Sequence, residues 1–235
     1  MRSKYGPVTM SKSDIDEILV QLYLRVNGYF TTGLIAHSSE WGQARTEVDC
    51  LAVRHPYYGE LERQIGPSEF LGANEGKIDL ILCEVKSDPQ MIGFNRALRE
   101  DDTALTSILR WSGLFPEEQL NAVAGKLRPL LQDDVGIDCA KVGVVEEGVR
   151  IRALTCCPSA AAEDTGRWCL MGCEILDYLN QCFNPEERRE SCSTRYNFQQ
   201  WGFPFEPIVR YIKNANPTDS VKLSLQGVYK IYGIA

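Results

Sequence analysis

Residues 78–86 read IDLILCEVK, and the placing of this run decides the fold. Successive side chains of a strand point to opposite faces. Leu80, Leu82, Ile81, Cys83 and Val85 therefore make both faces of the run apolar. A second run, TEVDCLAVR at 46–54, has the same two-sided character around Val48, Cys50, Leu51, Ala52 and Val53. Strands of this kind belong in the middle of a sheet, covered by helices on both sides. His55-Pro56 ends the 46–54 run, because proline cannot donate to a sheet ladder.

Outward from these two strands the chain alternates element types. SDIDEILVQLYLRVN (13–27) spaces Ile15, Ile18, Leu19, Leu22 and Val26 as one helix face. Ser13 is its expected cap, and Asp14, Asp16 and Glu17 suit the positive end of the helix dipole. YFTTGLIAH (29–37) reads as a further strand, and the polar, Gly-rich stretch 55–77 as a loop or short helical insertion. Helical patterns follow at about 91–111 and 116–132, then a β-hairpin over 140–157 turning at Glu146–Gly148. RWCLMGCEILDYLNQCF (167–183) and PIVRYIKNA (207–215) read as helices, and the tail VKLSLQGVYKIYGIA as strand-like. The fold class expected is α/β, a central mixed β-sheet flanked by helices. The whole of 1–235 is expected to form one domain, with a core at about 13–157 and a C-terminal helical/β elaboration at about 158–235.

Composition narrows the function classes. Apolar residues make up 44% and charged residues 24%, as in ordinary globular chains. No window of 18 apolar residues predicts a membrane span. The opening MRSKYGPVTMSKSD lacks the apolar stretch of a secretory signal, so the cytoplasm is the expected compartment. Nine cysteines, an odd number, cannot all pair within one chain, and reduced thiols suit that compartment. The net charge of −7 argues against a protein that coats nucleic acid by bulk charge, so any nucleic-acid function must rest on a local site.

One local site is legible. Glu84 and Lys86 lie two residues apart and share a strand face, as do Glu47 and Asp49. If the two strands are neighbours, about 4.8 Å apart, Asp49 and Glu84 converge with Lys86 beside them. Isolated buried carboxylates are strongly penalised unless paired or bound to metal. Two carboxylates suit a hard cation such as Mg²⁺, and a lysine beside them can position water or offset phosphate charge.

The pair TEVD and CEVK resembles the signature of the PD-(D/E)XK nuclease superfamily, the restriction-endonuclease-like fold. Asp49 matches the family's strand-borne Asp, and Glu84 and Lys86 match its Glu-x-Lys. Glu17 best matches the acidic residue that the family often supplies from its first helix, with Asp16 and Asp14 as competitors. The resemblance covers roughly residues 13–90. It implies Mg²⁺ or Mn²⁺ as cofactor, held by Asp49, Glu84 and Glu17, with Lys86 as a further catalytic residue. It also implies hydrolysis of phosphodiester bonds, DNA most expected and RNA possible, leaving a 5′-phosphate. Restriction, repair and defence are all compatible, and a homodimer or a partner protein could supply substrate capture. Family members that have lost activity give the alternative: an inactive nuclease-like module that binds nucleic acid or a protein. Val48 stands where the family often has proline, and the 34 residues from Cys50 to Cys83 make a long spacing. A long loop is tolerable, since doubling its length costs only about 0.6 kcal/mol.

Other residues compete for attention. Asp79 shares the Glu84 strand, but five residues away it falls on the opposite face and cannot share a metal. His37 and His55 are too few and too separate for a histidine metal site. Cys169 and Cys173 would share a helix face, but no C-x₂-C knuckle accompanies Cys156, Cys157, Cys169, Cys173, Cys182 and Cys192, so buried free thiols are expected over zinc. RYNFQQWGFPFEPIVRYIK (195–213) interleaves aromatic and basic residues, fitting either a stacking groove for nucleic acid or an aromatic core with Arg195 and Arg210 reaching outward.

Overall fold

The computed structural model describes residues 10–37, 44–60, 63–73, 76–161, 166–185, 198–215 and 223–234. Among these residues, six strands form one mixed sheet: β1 (Phe30–His37), β2 (Ala44–Arg54), β3 (Ile78–Val85), β4 (Val144–Glu146), β5 (Val149–Cys157) and β6 (Cys169–Met171). Their order is β1-β2-β3-β5-β4. The pairs β1/β2 and β2/β3 are antiparallel, and β3 runs parallel to β5. The outer edge of β5 is divided: β4 pairs antiparallel with its first residues and β6 parallel with its last. The runs at 46–54 and 78–86 are thus adjacent central strands.

Helices cover both sheet faces, as the two-sided apolar runs require. On one face α1 (Lys12–Val26) packs Ile15, Leu19, Leu22 and Tyr23 over Cys50, Ala52, Ile81, Cys83, Leu154 and Cys156. On the other, α3 (Asp102–Ser112) and α4 (Leu120–Leu127) set Leu105, Ile108, Leu109, Val123 and Leu127 over Val48, Leu51, Leu80, Leu82, Ile151 and Ala153. The C-terminal helices α6 (Gly172–Phe183), α7 (Phe205–Asn214) and α8 (Leu225–Ile231) join the α1 side through Ile175, Leu179, Ile208, Ile212 and Val228. No helix of the described residues is long and apolar enough to cross a membrane.

Several boundaries differ from the sequence expectation, each for a local reason. Ser11, not Ser13, caps α1: its hydroxyl accepts from Asp14 N–H while Asp14 accepts from Ser11 N–H. This reciprocal box satisfies two orphan donors at once and moves Asp16 and Glu17 into the second turn. The expected 91–111 helix is broken into a short turn at Pro89–Met91, α2 (Arg96–Glu100) and α3, because Asn95 and Asp101 each cap a new start. The expected helix at 116–132 is α-helical only over α4, with 3₁₀ turns on either side. The hairpin turning at Glu146–Gly148 is present, preceded by α5 (Ile137–Val142).

Residues 169–171 of the expected 167–183 helix extend the sheet instead, and the helix begins at Gly172. A Cβ at Gly172 would lie 2.4 Å from the Pro158 carbonyl oxygen, so this close approach needs glycine. The strand-like tail is the helix α8, capped by Ser224.

Candidate active site

The register between β1 and β2 slips by one residue where the site begins. Thr32 pairs with Leu51 but Leu34 pairs with Val48, so Asp49 and Cys50 together oppose Gly33. This is a β-bulge, and bulges re-aim side chains at the ends of regular pairing. The β2/β3 ladder runs from Arg54↔Asp79 to Cys50↔Cys83. Beyond it the Asp49 carboxylate takes over, its Oδ2 accepting from the Val85 N–H at 2.7 Å. Asp49 is therefore fixed against the exit of β3.

Glu84 and Lys86 lie at that exit. The Lys86 ammonium donates to Glu84 Oε1 at 2.6 Å. Glu84 is 2% exposed, and its other oxygen, Oε2, is buried without a hydrogen-bond partner. Burial pushes the Glu84 carboxyl up to about 7; the charge of Asp49 adds to this, while Lys86 and the Asn95 carboxamide oppose it. Asp49 is also raised, first by burial, against the Val85 N–H and Lys86. The Lys86 backbone is anchored through its N–H to Cys156 O at 2.8 Å.

Glu17, in the second turn of α1, faces the same group. Burial and then the charge of Asp49 push it up to about 7, with smaller additions from Asp14, Glu47 and Asp16. Asp49 is thus the hub whose charge raises both Glu17 and Glu84. The competitors of Glu17 have other partners. Asp14 belongs to the α1 capping box. Asp16 is fully buried and accepts from Ser87 Oγ at 2.6 Å and from Tyr229 OH at 2.8 Å.

Among the described residues no group of three or more His, Cys, Asp and Glu side chains is placed to hold a metal ion. Asp49, Glu84 and Glu17 therefore do not form a closed three-carboxylate cage as they stand. Mg²⁺ does not require one, since it is commonly held by one or two carboxylates and keeps several waters. The donor set is hard oxygen, and Glu84 Oε2 is a buried acceptor with no donor. The residues present fit such an ion at Asp49 and Glu84.

Asn95 is a site neighbour without a sequence signature of its own. As the cap of α2 its Oδ1 accepts from Leu98 N–H and Thr46 Oγ, while its Nδ2 donates to Glu47 O at 3.2 Å. This ties the start of α2 to β2 beside Asp49. The Glu47 side chain is exposed.

Asp79 lies at the opposite end of β3 and on the α1 face. Its carboxylate accepts from Arg150 at 2.7 and 3.2 Å, from Arg152 Nε at 3.0 Å and Arg152 Nη2, and from Tyr29 OH at 2.6 Å. The two guanidiniums also donate to Gly72 O and Leu71 O, stitching the 63–73 segment to the sheet.

The remaining candidates carry less. His55 is exposed, with its ring against Phe30 at 5.8 Å; the His37 side chain, Cys192 and Arg195 lie outside the described residues. Cys50, Cys83, Cys156, Cys157 and Cys169 are buried free thiols. Cys169 lies on β6 and Cys173 on α6, so the expected shared helix face does not exist. In the aromatic stretch, Arg25 sits over Trp201 and Phe205, and Arg210 over Phe198 while pairing with Glu206. Those ring faces are occupied by the chain's own cations. Arg96, Arg99 and Arg110 are likewise matched by Glu100, Asp133 and Glu117.

Comparison of the chain with protein-family models, with curated proteins and with solved structures finds no match.

Proposed function

We propose that this chain is a divalent-metal-dependent nuclease hydrolysing phosphodiester bonds, with DNA the favoured substrate and a restriction-endonuclease-like core. The observation that carries the reading is the buried, unpartnered Glu84 Oε2 beside a bulge-positioned Asp49 and an adjacent Lys86. Leaving a buried carboxylate oxygen without a donor is unfavourable, and a cation answers that deficit.

Asp49 and Glu84 would hold Mg²⁺ or Mn²⁺, which supplies Lewis-acid polarisation of the phosphate when bound. Asp49 is pre-aligned because the Val85 N–H holds one of its oxygens. Lys86 sets its side-chain nitrogen beside the reacting group and offers N–H donors to an attacking water or to a phosphate oxygen. Glu17, poised near neutral pH, can accept a proton from the attacking water or add a further oxygen ligand.

Cleavage of plasmid, linear and single-stranded DNA and of RNA with Mg²⁺ or Mn²⁺, comparing wild type with Lys86→Ala, tests the reading. Loss of Lys86 is expected to lower cleavage by about 10²–10⁴-fold with folding intact. Equal cleavage by the two proteins, or none by wild type with any substrate, overturns it. Metal binding without cleavage would instead favour a binding module.

A further inference from the structure

Asp16 is a buried carboxylate that the proposed chemistry does not use. It sits one residue before Glu17 and is 0% exposed. Both of its oxygens are engaged, and both donors are hydroxyls from distant parts of the chain. Ser87 Oγ donates to Oδ2 at 2.6 Å and Tyr229 OH donates to Oδ1 at 2.8 Å. Among the described residues no cation forms an ion pair with it. Lys12, one turn away, has its ammonium 5.4 Å from the centre of the Tyr229 ring. A buried carboxylate hydrogen-bonded by two hydroxyls, with the Lys12 charge acting only at a distance, is an expensive way to join two helices and a loop. An apolar contact would do that more cheaply; what the carboxylate adds is direction, since each oxygen fixes one hydroxyl.

What it enforces is the path of the chain directly after Lys86. Lys86 N–H is bonded to Cys156 O at 2.8 Å. Ser87 Oγ is bonded to Asp16, and Ser87 O accepts from Ser159 Oγ at 2.8 Å. The exit of β3 is therefore held from β5, from the loop after β5 and from α1. Lysine is long and rotamer-rich, and its ammonium can be aimed only if its backbone is fixed. Asp16 also joins this exit to the α1 turn that carries Glu17, and Tyr229 joins both to the C-terminal helix.

We infer that Asp16, Ser87 and Tyr229 form a positioning strut that sets Lys86 and Glu17 relative to each other and makes α8 part of the site, an inference whose catalytic half rests on the nuclease reading above. These are positioning residues; none is proposed to touch substrate.

Tyr229→Phe removes one hydroxyl with little change of shape, and Ser87→Ala removes the other. Hydrogen exchange by mass spectrometry on full-length protein is the first readout. Both variants are expected to exchange faster over residues 84–88, where the Lys86 amide is the reporter. A tyrosine that merely held α8 in place would loosen 225–231 and leave 84–88 unchanged, which would overturn the inference. The second readout is cleavage kinetics with Mg²⁺. For both variants kcat is expected to fall about tenfold or more with KM nearly constant, the usual scale for groups that orient ligating or reacting residues. Asp16→Asn, which keeps one acceptor, should lie between wild type and Asp16→Ala; if Asp16→Ala does not fold, the two hydroxyl variants decide. Faster exchange with unchanged kcat also overturns the inference. A wild-type protein that cleaves nothing sinks the nuclease reading alone, and the exchange result still decides the strut.

Discussion

The two ends of β3 bury a carboxylate each, and they treat it in opposite ways. At one end Asp79, 1% exposed, receives five donors from Arg150, Arg152 and Tyr29. At the other, Glu84, 2% exposed, receives the Lys86 ammonium on Oε1, while Oε2 has no hydrogen bond of normal geometry and the Asn95 carboxamide is a weaker polar neighbour of the carboxyl. Burial is almost equal, so burial alone does not separate the two carboxylates. The difference lies in completeness. A fully satisfied buried charge rigidifies its surroundings, whereas a half-satisfied one carries an uncompensated desolvation cost, which the proposed cation would offset.

The comparison can be broken most forcefully at the closed end. Asp79→Ala strips two buried guanidiniums of their shared counter-ion. Removing one partner of a buried pair costs about 3–5 kcal/mol, so this variant is expected to lose that much stability in urea unfolding, or to fail to fold. Glu84→Gln at the open end should do the reverse. Cleavage should drop by about 10²-fold or more, while the apo protein keeps its melting temperature or gains a little, since the lost Lys86 pair is offset by removing a buried, half-satisfied carboxylate. Similar melting losses in the two variants would erase the distinction.

A pH series sharpens the same contrast. Glu17 and Glu84 are pushed up to about 7 in the folded chain, above the ordinary carboxylate range. Between about pH 4.5 and 7 the folded state thus holds protons that the unfolded state has released. Their contribution to stability is greatest below the unfolded value and is lost as pH rises through 7. Apo protein is expected to melt at a lower temperature at pH 8 than at pH 5.5, with Mn²⁺ restoring part of the loss only at the higher pH. Calorimetric melts at the two pH values check this, and Glu84→Gln should flatten the trend. The smallest effect is expected from Tyr29→Phe. It deletes one of the five donors to Asp79, for about 1 kcal/mol in urea unfolding and no change in cleavage.

Much of this contrast is legible in the sequence, and the illegible part has definite causes. Strand alternation separates Asp79 from Glu84, and two-sided apolar runs place β2 and β3 at the centre of the sheet. The bulge at Asp49–Cys50 is not legible, because it is a property of the β1/β2 register and not of either strand alone. Simple alternation brings Asp49 opposite Glu84; in the structure its carboxylate accepts from the Val85 N–H. The choice of Ser11 over Ser13 as cap depends on a reciprocal bond to Asp14. The tail alternates like a strand, yet Ser224 starts a helix there and Tyr229 finds its partner on α1, more than 200 residues earlier. Tertiary packing overrides weak local preference in such segments. Asn95 shows the same limit, since only its capping position brings it to Glu84.

The stitching of residues 63–73 onto the sheet bears on how far the chain can be edited. Loop-closure entropy alone favours shortening a long connection, by about 0.6 kcal/mol for each halving. Here the connection between Asp49 and Glu84 supplies the carbonyls of Leu71 and Gly72 to Arg152 and Arg150. Trimming it would take an acceptor from the Nη1 group of each guanidinium, a loss of about 1–3 kcal/mol for each acceptor removed. The connection between the two carboxylates at one end of β3 is therefore fastened to the sheet by arginines at its other end. Deletion variants across 63–73 should lose stability faster than loop length predicts, and minimised versions of the core must carry that segment with them.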